Sequence, residues 1–351
     1  MLKAAYWIFN YEPKWEAVSA ELDCLAEHAN DEFDIHIYSF NKRSVRISMH
    51  GRNKAFPLPC AVAFLPFLRK TASRYNVNHI FASAAEPLLT PKLASGASIL
   101  TVSKGTGSLS SIEKNFEHLR KFAFVVVESD RDKQIMEQAG VAATSIRLIR
   151  PGFEIAPYVP ARVPFRLLFA SSPFGKHQLL GRGIYLMLEA AQRMPDVEFL
   201  IVWRESYAQK LVSLVQERQL SNVKVHNGYV PNMGEVYDSV HGSIIPALDY
   251  CSVKPCPHSA VESLAHGKPI VTSSISSLAS IVCRRECGVC CEPNTEDLVA
   301  AIERLRNDYD RLQANCHEVV RDMFSPEYFR REYMSLYRAM TESSSGGATP
   351  V

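Results

Sequence analysis

The sequence predicts an α/β protein made of two doubly wound domains with parallel sheets. Short apolar runs bounded by turn residues alternate with segments of helical periodicity, and this alternation occurs in both halves of the chain. With 351 residues, the chain is long enough for two cores of ordinary size. The halves are joined by residues 154–164, which contain three prolines. Proline fixes φ and removes a backbone donor, so this segment is the predicted connector.

In the first half, apolar runs predict strands and amphipathic runs predict helices. The second of two predicted helices is expected to stop at Gly140, because glycine adopts the left-handed cap conformation without strain. The predicted strands are residues 4–9, 33–38, 79–82, 98–102, 122–127 and 146–149, and the helices are residues 15–27 and 130–138.

The second half repeats this order of elements and adds helices at its end. Its predicted strands are residues 166–170, 198–203, 223–226, 242–246 and 269–272, and its helices are 183–193, 207–218, 297–307, 309–323 and 326–340. We therefore expect a first domain over residues 1–155, a second over 164–325, a C-terminal helix over 326–340 and a flexible tail over 341–351.

Composition excludes several classes of protein. Lys and Arg number 39 against 37 Asp and Glu, so the net charge of +2 gives no case for a nucleic-acid binder. No apolar run reaches the ~18 residues of a spanning helix, and the N-terminus leads into a strand pattern rather than a cleavable signal. These features predict an intracellular protein. Its nine cysteines are expected to be free thiols; the alternative, a metal site in the cluster of Cys283, Cys287, Cys290 and Cys291, lacks a well-spaced second pair of ligands.

The segment from Lys254 to Val271 has the most informative chemistry. Pro257 and Ser259 suit the start of a short helix that ends at Gly267. The backbone amides of a helix start, here near Ser259 and Ala260, can hold a diphosphate. Glu262 would lie beside them, where a carboxylate can accept two hydrogen bonds from a ribose diol. The alternative is that Glu262 only complements the helix dipole.

This segment resembles the nucleotide-sugar site of GT-B glycosyltransferases, specifically the retaining family 4. The stretch Glu-Ser-Leu-Ala-His-Gly-Lys-Pro-Ile-Val, residues 262–271, matches the second half of the family motif. The resemblance continues in order from about residue 122 to 337. It includes Ile-Arg-Pro-Gly at 149–152, the loop within residues 223–230 and the closing segment at 287–302. It implies two Rossmann-like domains facing across a cleft, with the C-terminal helix crossing back to the first domain.

The resemblance also implies roles for residues. Glu262 would bind the donor ribose, the helix start the phosphates, and the loop around Tyr229 and Val230 the base. Arg182 fills one of two basic diphosphate positions, and Lys176 is the nearest substitute for the other. The implied nucleotide-sugar-binding residues are Arg182, Lys176, Tyr229, Val230, His258, Ser259, Ala260 and Glu262, and the implied catalytic residues are Ser103, Lys104 and Lys254.

The chain departs from the family pattern in several places. Lys254 stands where the family has its first Glu, and Ser103, beside Lys104, stands where it often has His. A cation at Lys254 suits a donor that carries a carboxylate, or binds phosphate, or signals weakened activity. The glycines expected in residues 10–15 and after residue 202 are also missing. Because of these departures, a non-catalytic or weakly active sugar-nucleotide or glycan-binding protein remains the alternative.

The expected function is metal-independent transfer of a sugar, with retention, from a UDP- or GDP-linked donor, and no cofactor. The expected acceptor is a glycan, a lipid-linked molecule or a small molecule. Bulky apolar and basic residues in segments 52–59 and 64–74 suggest peripheral contact with the inner face of a membrane, the alternative being a core helix with snorkelling lysines. A nicotinamide oxidoreductase would need a Gly-x-Gly-x-x-Gly turn that neither half contains.

Overall fold

The computed structural model consists of two compact units. One comprises Met1–Gly152 together with the C-terminal helix that begins at Pro326, and the other is Phe153–Ser325. The connector predicted between the domains thus lies in the second unit. The structure describes residues 1–14, 16–29, 31–41, 48–50, 53–57, 65–86, 89–107, 109–162, 164–171, 175–204 and 207–345.

The first unit contains an eight-stranded sheet within the described ranges. Its strands are β1 Leu2–Ile8, β2 Phe33–Asn41, β3 Ser48–His50, β4 Asn53–Pro57, β5 Val77–Ala82, β6 Ser98–Val102, β7 Phe124–Val127 and β8 Ile146–Leu148. Their order is β3-β4-β2-β1-β5-β6-β7-β8, and only the β3–β4 pair is antiparallel. The helices before residue 152 are α1 Ala17–Ala29, α2 Leu65–Ala72, α3 Thr90–Leu93, α4 Leu109–Glu113, α5 Phe116–Leu119 and α6 Asp130–Gln138.

The second unit contains a parallel sheet of six strands in the order β11-β10-β9-β12-β13-β14. These are β9 Arg166–Ser171, β10 Glu198–Trp203, β11 Val223–Asn227, β12 Gly242–Ile245, β13 Ile270–Ser273 and β14 Gly288–Cys291. Its helices are α7 His177–Gly181, α8 Ile184–Arg193, α9 Ala208–Glu217, α10 Met233–Asp238, α11 His258–Ala265, α12 Ala279–Arg285, α13 Thr295–Asn307, α14 Tyr309–Ala314 and α15 Cys316–Met323.

The predicted parallel α/β architecture of both halves is confirmed. Central strands such as β5 and β6 are buried at every residue, as expected for parallel strands covered on both faces. Differences occur at the ends of elements: the helix predicted over residues 309–323 is divided at Asn315, and the C-terminal helix continues to Ser345. Trp15, the predicted first residue of a helix, lies outside the described residues, and α1 begins at Ala17.

The C-terminal helix, α16 Pro326–Ser345, packs onto the first sheet through a buried polar network. His79 on β5 is fully buried; its Nδ1 lies 2.6 Å from the Tyr337 hydroxyl and its Nε2 lies 2.7 Å from the Thr101 hydroxyl. Tyr333 lies 2.9 Å from the same threonine, and Tyr337 donates to the Tyr6 hydroxyl at 2.9 Å. These bonds satisfy groups that would otherwise be costly to bury, and they fix the register of α16 on the sheet.

The buried imidazole is expected to make the first unit sensitive to acid. Burial holds the pKa of His79 well below its ordinary value, so the unfolded chain binds a proton that the folded chain does not. Stability should therefore be lost as the pH falls below about 6.5, by up to about 1.4 kcal/mol per pH unit for this one group. In His79→Gln, urea unfolding measured from pH 7 to pH 5 should show a shallower loss.

His36→Gln is the control, because His36 is a half-exposed histidine on β2. The pH dependence that is specific to His79 is the difference between the His79→Gln and His36→Gln variants. Parallel pH dependences for His79→Gln and the unsubstituted protein would show that His79 takes up its proton in the folded state.

The connector packs along α11 in the second unit. The Phe153 ring lies edge-on to the ring of His258, with centroids 4.9 Å apart, and the Ala156 N–H donates to the Ala265 carbonyl at 3.0 Å. Lys268 is wholly buried and donates to the carbonyl of Val159 at 2.5 Å. Burial lowers the pKa of Lys268 to about 8. The connector is therefore held along the whole length of α11 rather than being a free linker.

The cysteine expectation is wrong for one pair. Cys283 and Cys290 form a disulfide between α12 and β14, with Cα atoms 6.2 Å apart. Burial raises the pKa values of the Cys287 and Cys291 thiols to about 12, so these thiols stay protonated at neutral pH. The free cysteines of the described residues are Cys24, Cys251, Cys256, Cys287, Cys291 and Cys316.

The predicted membrane-contact segment is only partly described. Residues 52 and 58–64 lie outside the described residues. In α2, Leu68 is buried in the first unit's core, as the core-helix alternative expects, whereas Phe67 is 38% exposed. Nowhere in the described ranges does a helix combine the length and apolar character needed to cross a bilayer.

Candidate functional site

The second sheet has a switch point between β9 and β12. The chain goes from β9 to β10 on one side, and β12 later pairs with β9 on the other side. In open α/β sheets, a crevice that binds ligands forms outside the carboxyl ends of the strands at such a point. Loops that leave these ends therefore define the candidate site.

Arg182 lies at this switch point. Its Nη1 donates to the hydroxyl of Ser171, the last residue of β9. The next residue, Gly183, adopts φ +76°, and a Cβ there would lie 1.8 Å from the carbonyl oxygen of Pro246, which follows β12. The turn that contains Arg182 is thus tightly packed between the carboxyl ends of β9 and β12.

The Arg182 guanidinium has no counter-ion among the described residues. Its Nε atom is buried without a hydrogen-bond partner, and its partner in the described chain is the neutral Ser171 hydroxyl. Burial lowers its pKa to about 10, so it still bears its charge at neutral pH. A buried unpaired charge is costly. The geometry therefore favours an anionic ligand at this position.

The start of α11 faces the same edge of the sheet, since it follows β12 through the loop over residues 246–257. Pro257 is the N-cap and offers no side-chain acceptor. The Ala260 N–H already donates to the Pro257 carbonyl at 3.0 Å, whereas the Ser259 N–H donates to no acceptor in the described part of the chain. Of the two amides predicted to hold phosphate, only that of Ser259 is open.

Glu262 lies in the second turn of α11, beyond the first turn that the helix-dipole alternative requires. Complementing the helix dipole is consequently a weak explanation for this carboxylate, because that effect fades after the first turn. Glu262 is half-buried, and its Oε2 accepts a hydrogen bond of 2.7 Å from the hydroxyl of Tyr237. Its Oε1 accepts none from the described residues, so one face of the carboxylate is open to a ligand.

Lys254 and His258 form a second basic group at the start of α11. The Lys254 Nζ lies 3.5 Å from His258 Nε2, and the His258 ring is held edge-on by Phe153. Both side chains are half-buried. Nitrogen groups beside a helix start increase the positive potential there.

The loop after β11 lies on the Glu262 side of the site. Tyr229 is 43% exposed, and Val230 packs on the cluster that contains Tyr237. By contrast, Lys176 is exposed at the N-cap of α7, and its side chain makes no hydrogen bond to the described residues. The structure gives no support for a phosphate-binding role of Lys176.

Comparison with known proteins agrees with this geometry. Residues 179–323 match the family model described as "Glycosyl transferases group 1". The match covers less than half of the chain, and residues 179–323, called the group 1 domain below, are similar to that family. The group 1 domain spans the second unit from α7 to α15 and contains Arg182 and all of α11. No curated protein sequence matches the chain.

Solved structures similar to the whole chain have the GT-B fold. Sucrose-phosphate synthase from Thermosynechococcus elongatus is 17% identical, with a TM-score of 0.77, over 98% of this chain and 100% of that chain. Anabaena HepE in complex with UDP-glucose is 14% identical, with a TM-score of 0.76, over 97% and 100%. WaaG, a glycosyltransferase involved in lipopolysaccharide biosynthesis, is 12% identical, with a TM-score of 0.68, over 98% and 100%. The chain therefore has the two-domain GT-B fold.

Ser103 and Lys104 belong to the other unit, outside the group 1 domain. They follow β6, at the carboxyl edge of the first sheet. Ser103 is buried, and its N–H donates to the carbonyls of Thr101 and Ala82; Lys104 is exposed. Their loop is tied to α6, because Asp132 accepts hydrogen bonds from the N–H and hydroxyl of Thr106.

Among the described residues, no group of three or more His, Cys, Asp or Glu is placed to hold a metal ion. The chain has two Asp-x-Asp triplets, at residues 130–132 and 308–310. In the first, Asp130 pairs with Arg150 and Asp132 accepts from Ser129 and Thr106. In the second, which lies in the group 1 domain, Asp308 pairs with Arg311. Asp130, Asp132 and Asp308 are therefore used in internal contacts.

Sequence reasoning did not assign a site role to Tyr237, whose partner Glu262 is 25 residues away. The resemblance predicts Arg182 as a diphosphate ligand, whereas the residues alone do not distinguish it from an exposed arginine. The contacts of both side chains depend on which loops meet at the edge of the sheet.

Proposed function

We propose that this protein transfers a glycosyl group from a nucleoside-diphosphate sugar to a hydroxyl acceptor. The observation that supports this best is the unpaired Arg182 guanidinium at the switch point, on the same sheet edge as the start of α11. Transfer releases a diphosphate, so a fixed positive charge at that point lowers the barrier. The group 1 domain and the UDP-glucose bound to HepE agree with such a donor.

In this proposal each residue has a defined task. Arg182 and the Ser259 N–H hold the diphosphate, and Glu262 accepts hydrogen bonds from the ribose hydroxyls. The loop of Tyr229 and Val230 contacts the base. Lys254 and His258 lie toward the donor sugar.

We propose further that the reaction retains anomeric configuration and needs no metal, because Arg182 and the helix start supply the positive charge for the leaving group. The donor is UDP- or GDP-linked, and the acceptor is a glycan, a lipid-linked molecule or a small molecule. Catalytic roles for Ser103 and Lys104 are proposed on the resemblance alone. We also propose that the protein acts in peripheral contact with the inner face of a membrane.

Glu262→Gln tests the donor site. The amide keeps the shape but loses the charge, and a hydrogen bond to a charged group is worth about 1.5 to 3 kcal/mol. We expect kcat/KM for donor turnover to fall about 10- to 100-fold. The measurement is release of free nucleotide from a panel of UDP- and GDP-sugars.

Glu217→Gln is the matched control, since Glu217 is an exposed glutamate at the end of α9. It should turn over donor as fast as the unsubstituted protein. Equal turnover by Glu262→Gln and the unsubstituted protein would rule out the assigned ribose contact.

A sugar-nucleotide-binding protein without activity is the second candidate function. It is favoured by Lys254, a cation beside His258 where the resembled family has a carboxylate. Binding of a nucleotide without any release from sugar donors would favour this candidate. Thermal shift measures such binding, because a ligand at about 100 times its Kd stabilises the fold by about 2.7 kcal/mol.

A further inference from the structure

Tyr237 joins helices α10 and α11 by one hydrogen bond. Its hydroxyl donates to Glu262 Oε2 at 2.7 Å, and the phenol ring is 1% exposed. Burial, reinforced by the charge of Glu262, holds the pKa of Tyr237 well above its ordinary value. The hydroxyl therefore stays protonated and remains a donor to the carboxylate throughout the neutral range.

The ring of Tyr237 cannot turn away from Glu262 without disturbing the core. It packs with Leu168 of β9 and Val202 of β10. On its other side, the ring of His266 stacks on it, with centroids 5.2 Å apart and planes 28° apart. His266 is itself held by Asp238, whose Oδ1 lies 3.1 Å from its Nδ1.

Glu262 of α11 and His266, the C-cap of that helix, are four residues apart, so they lie on one face of it. The side chains on this face contact Tyr237 and Asp238, which are consecutive residues of α10. The two contacts fix α11 relative to the loop of Tyr229 and Val230, since that loop leads directly into α10. The loop of Tyr229 and Val230 and the Glu262 carboxylate are thereby held at a fixed distance from each other.

We infer that Tyr237 is a positioning residue that orients the Glu262 carboxylate for the ribose diol of the donor. By occupying Oε2, the phenol fixes the carboxylate plane and leaves Oε1 directed to the ligand. A carboxylate held in this way recognises both hydroxyls without losing side-chain entropy on binding. This inference rests on the proposed function, because it assumes that Glu262 contacts ribose.

The test is a comparison of ribose and deoxyribose ligands. UDP and 2′-deoxy-UDP, and likewise GDP and 2′-deoxy-GDP, differ only in one of the hydroxyls that Glu262 would bind. Calorimetric titration gives the ratio of their dissociation constants for each variant. If Tyr237 had a merely structural role, its substitution would weaken the binding of both ligands of a pair equally and leave this ratio unchanged.

In the unsubstituted protein the ribose form should bind about 10- to 100-fold more tightly than the deoxy form. In Tyr237→Phe this ratio should fall by about tenfold, toward the value for Glu262→Gln, while the affinity for the deoxy form changes little. Tyr309→Phe is the matched control. The Tyr309 ring packs on Phe165 and His241, near the start of β9, and its variant should keep the full ratio.

The outcomes separate the inference from the proposal beneath it. If Glu262→Gln loses ribose preference and Tyr237→Phe keeps it, the positioning role is wrong and the proposed site stands. If the unsubstituted protein shows no ribose preference, or binds neither nucleotide, the assigned role of Glu262 is wrong and the inference is overturned with it.

Discussion

Replacing Gly183 with alanine should destabilise the second unit by about 4 kcal/mol, a loss typical of the most damaging single substitutions. The left-handed φ of +76° alone costs an alanine about 1 to 2 kcal/mol. A Cβ would also lie 1.8 Å from the Pro246 carbonyl oxygen, so the backbone of one of the two loops must move. Urea unfolding at equilibrium measures the loss.

Gly107→Ala is the matched control for backbone conformation. Gly107 has φ +73°, and nothing lies within 4 Å of where its Cβ would be. It should cost only the conformational part, about 1 to 2 kcal/mol. Equal losses for the two variants would show that the contact between the Arg182 turn and Pro246 contributes nothing.

Arg182→Met should reduce donor turnover about 100-fold, the effect of removing one group that stabilises charge developing in a transition state. The melting temperature should not fall, because methionine fills the volume and removes a buried charge that has no counter-ion among the described residues. Nucleotide release and thermal unfolding are measured on the same preparation.

Arg166→Met is the control. Arg166 also lies on β9, but it forms an ion pair with Glu198 at the opposite end of the strand. Its loss should lower the melting temperature and leave turnover unchanged. Retained turnover in Arg182→Met would mean that the diphosphate binds elsewhere, and a falling melting temperature would mean that the guanidinium has a structural role.

Much of the sheet architecture is predictable because a central parallel strand is apolar on both faces. Residues 98–102 and 242–245 show this: each is a short apolar run, and every residue in it is buried. Strands at a sheet edge, such as β14, or next to one, such as β4, are harder to predict. β14 was missed because Gly288–Cys291 contains two cysteines that suggested thiol chemistry, and β4 was missed because Asn53–Pro57 begins with polar residues.

The site is less predictable than the fold for a physical reason. The segment over residues 254–271 contains its helix, its carboxylate and its glycine in one stretch, so local pattern is enough to indicate them. The resemblance predicts a role for Arg182, but its position follows from contacts with other loops, since Arg182 donates to Ser171 and the next residue, Gly183, packs on Pro246. Tyr237 likewise depends on the packing of α10 against α11. Such contacts follow from strand order, which no local spacing encodes.

The hydrogen bond between the two ends of the second unit bears on how that unit could be replaced by its counterpart from another protein. The Phe153 N–H donates to the Phe324 carbonyl at 2.8 Å, so both ends of this unit meet at one place. On the other side of these ends, Gly152 approaches Pro326 so closely that a Cβ would lie 2.6 Å from its Cα. The second unit is thus an insertion into the first, and grafting in its counterpart from another protein would require only one pair of neighbouring junctions.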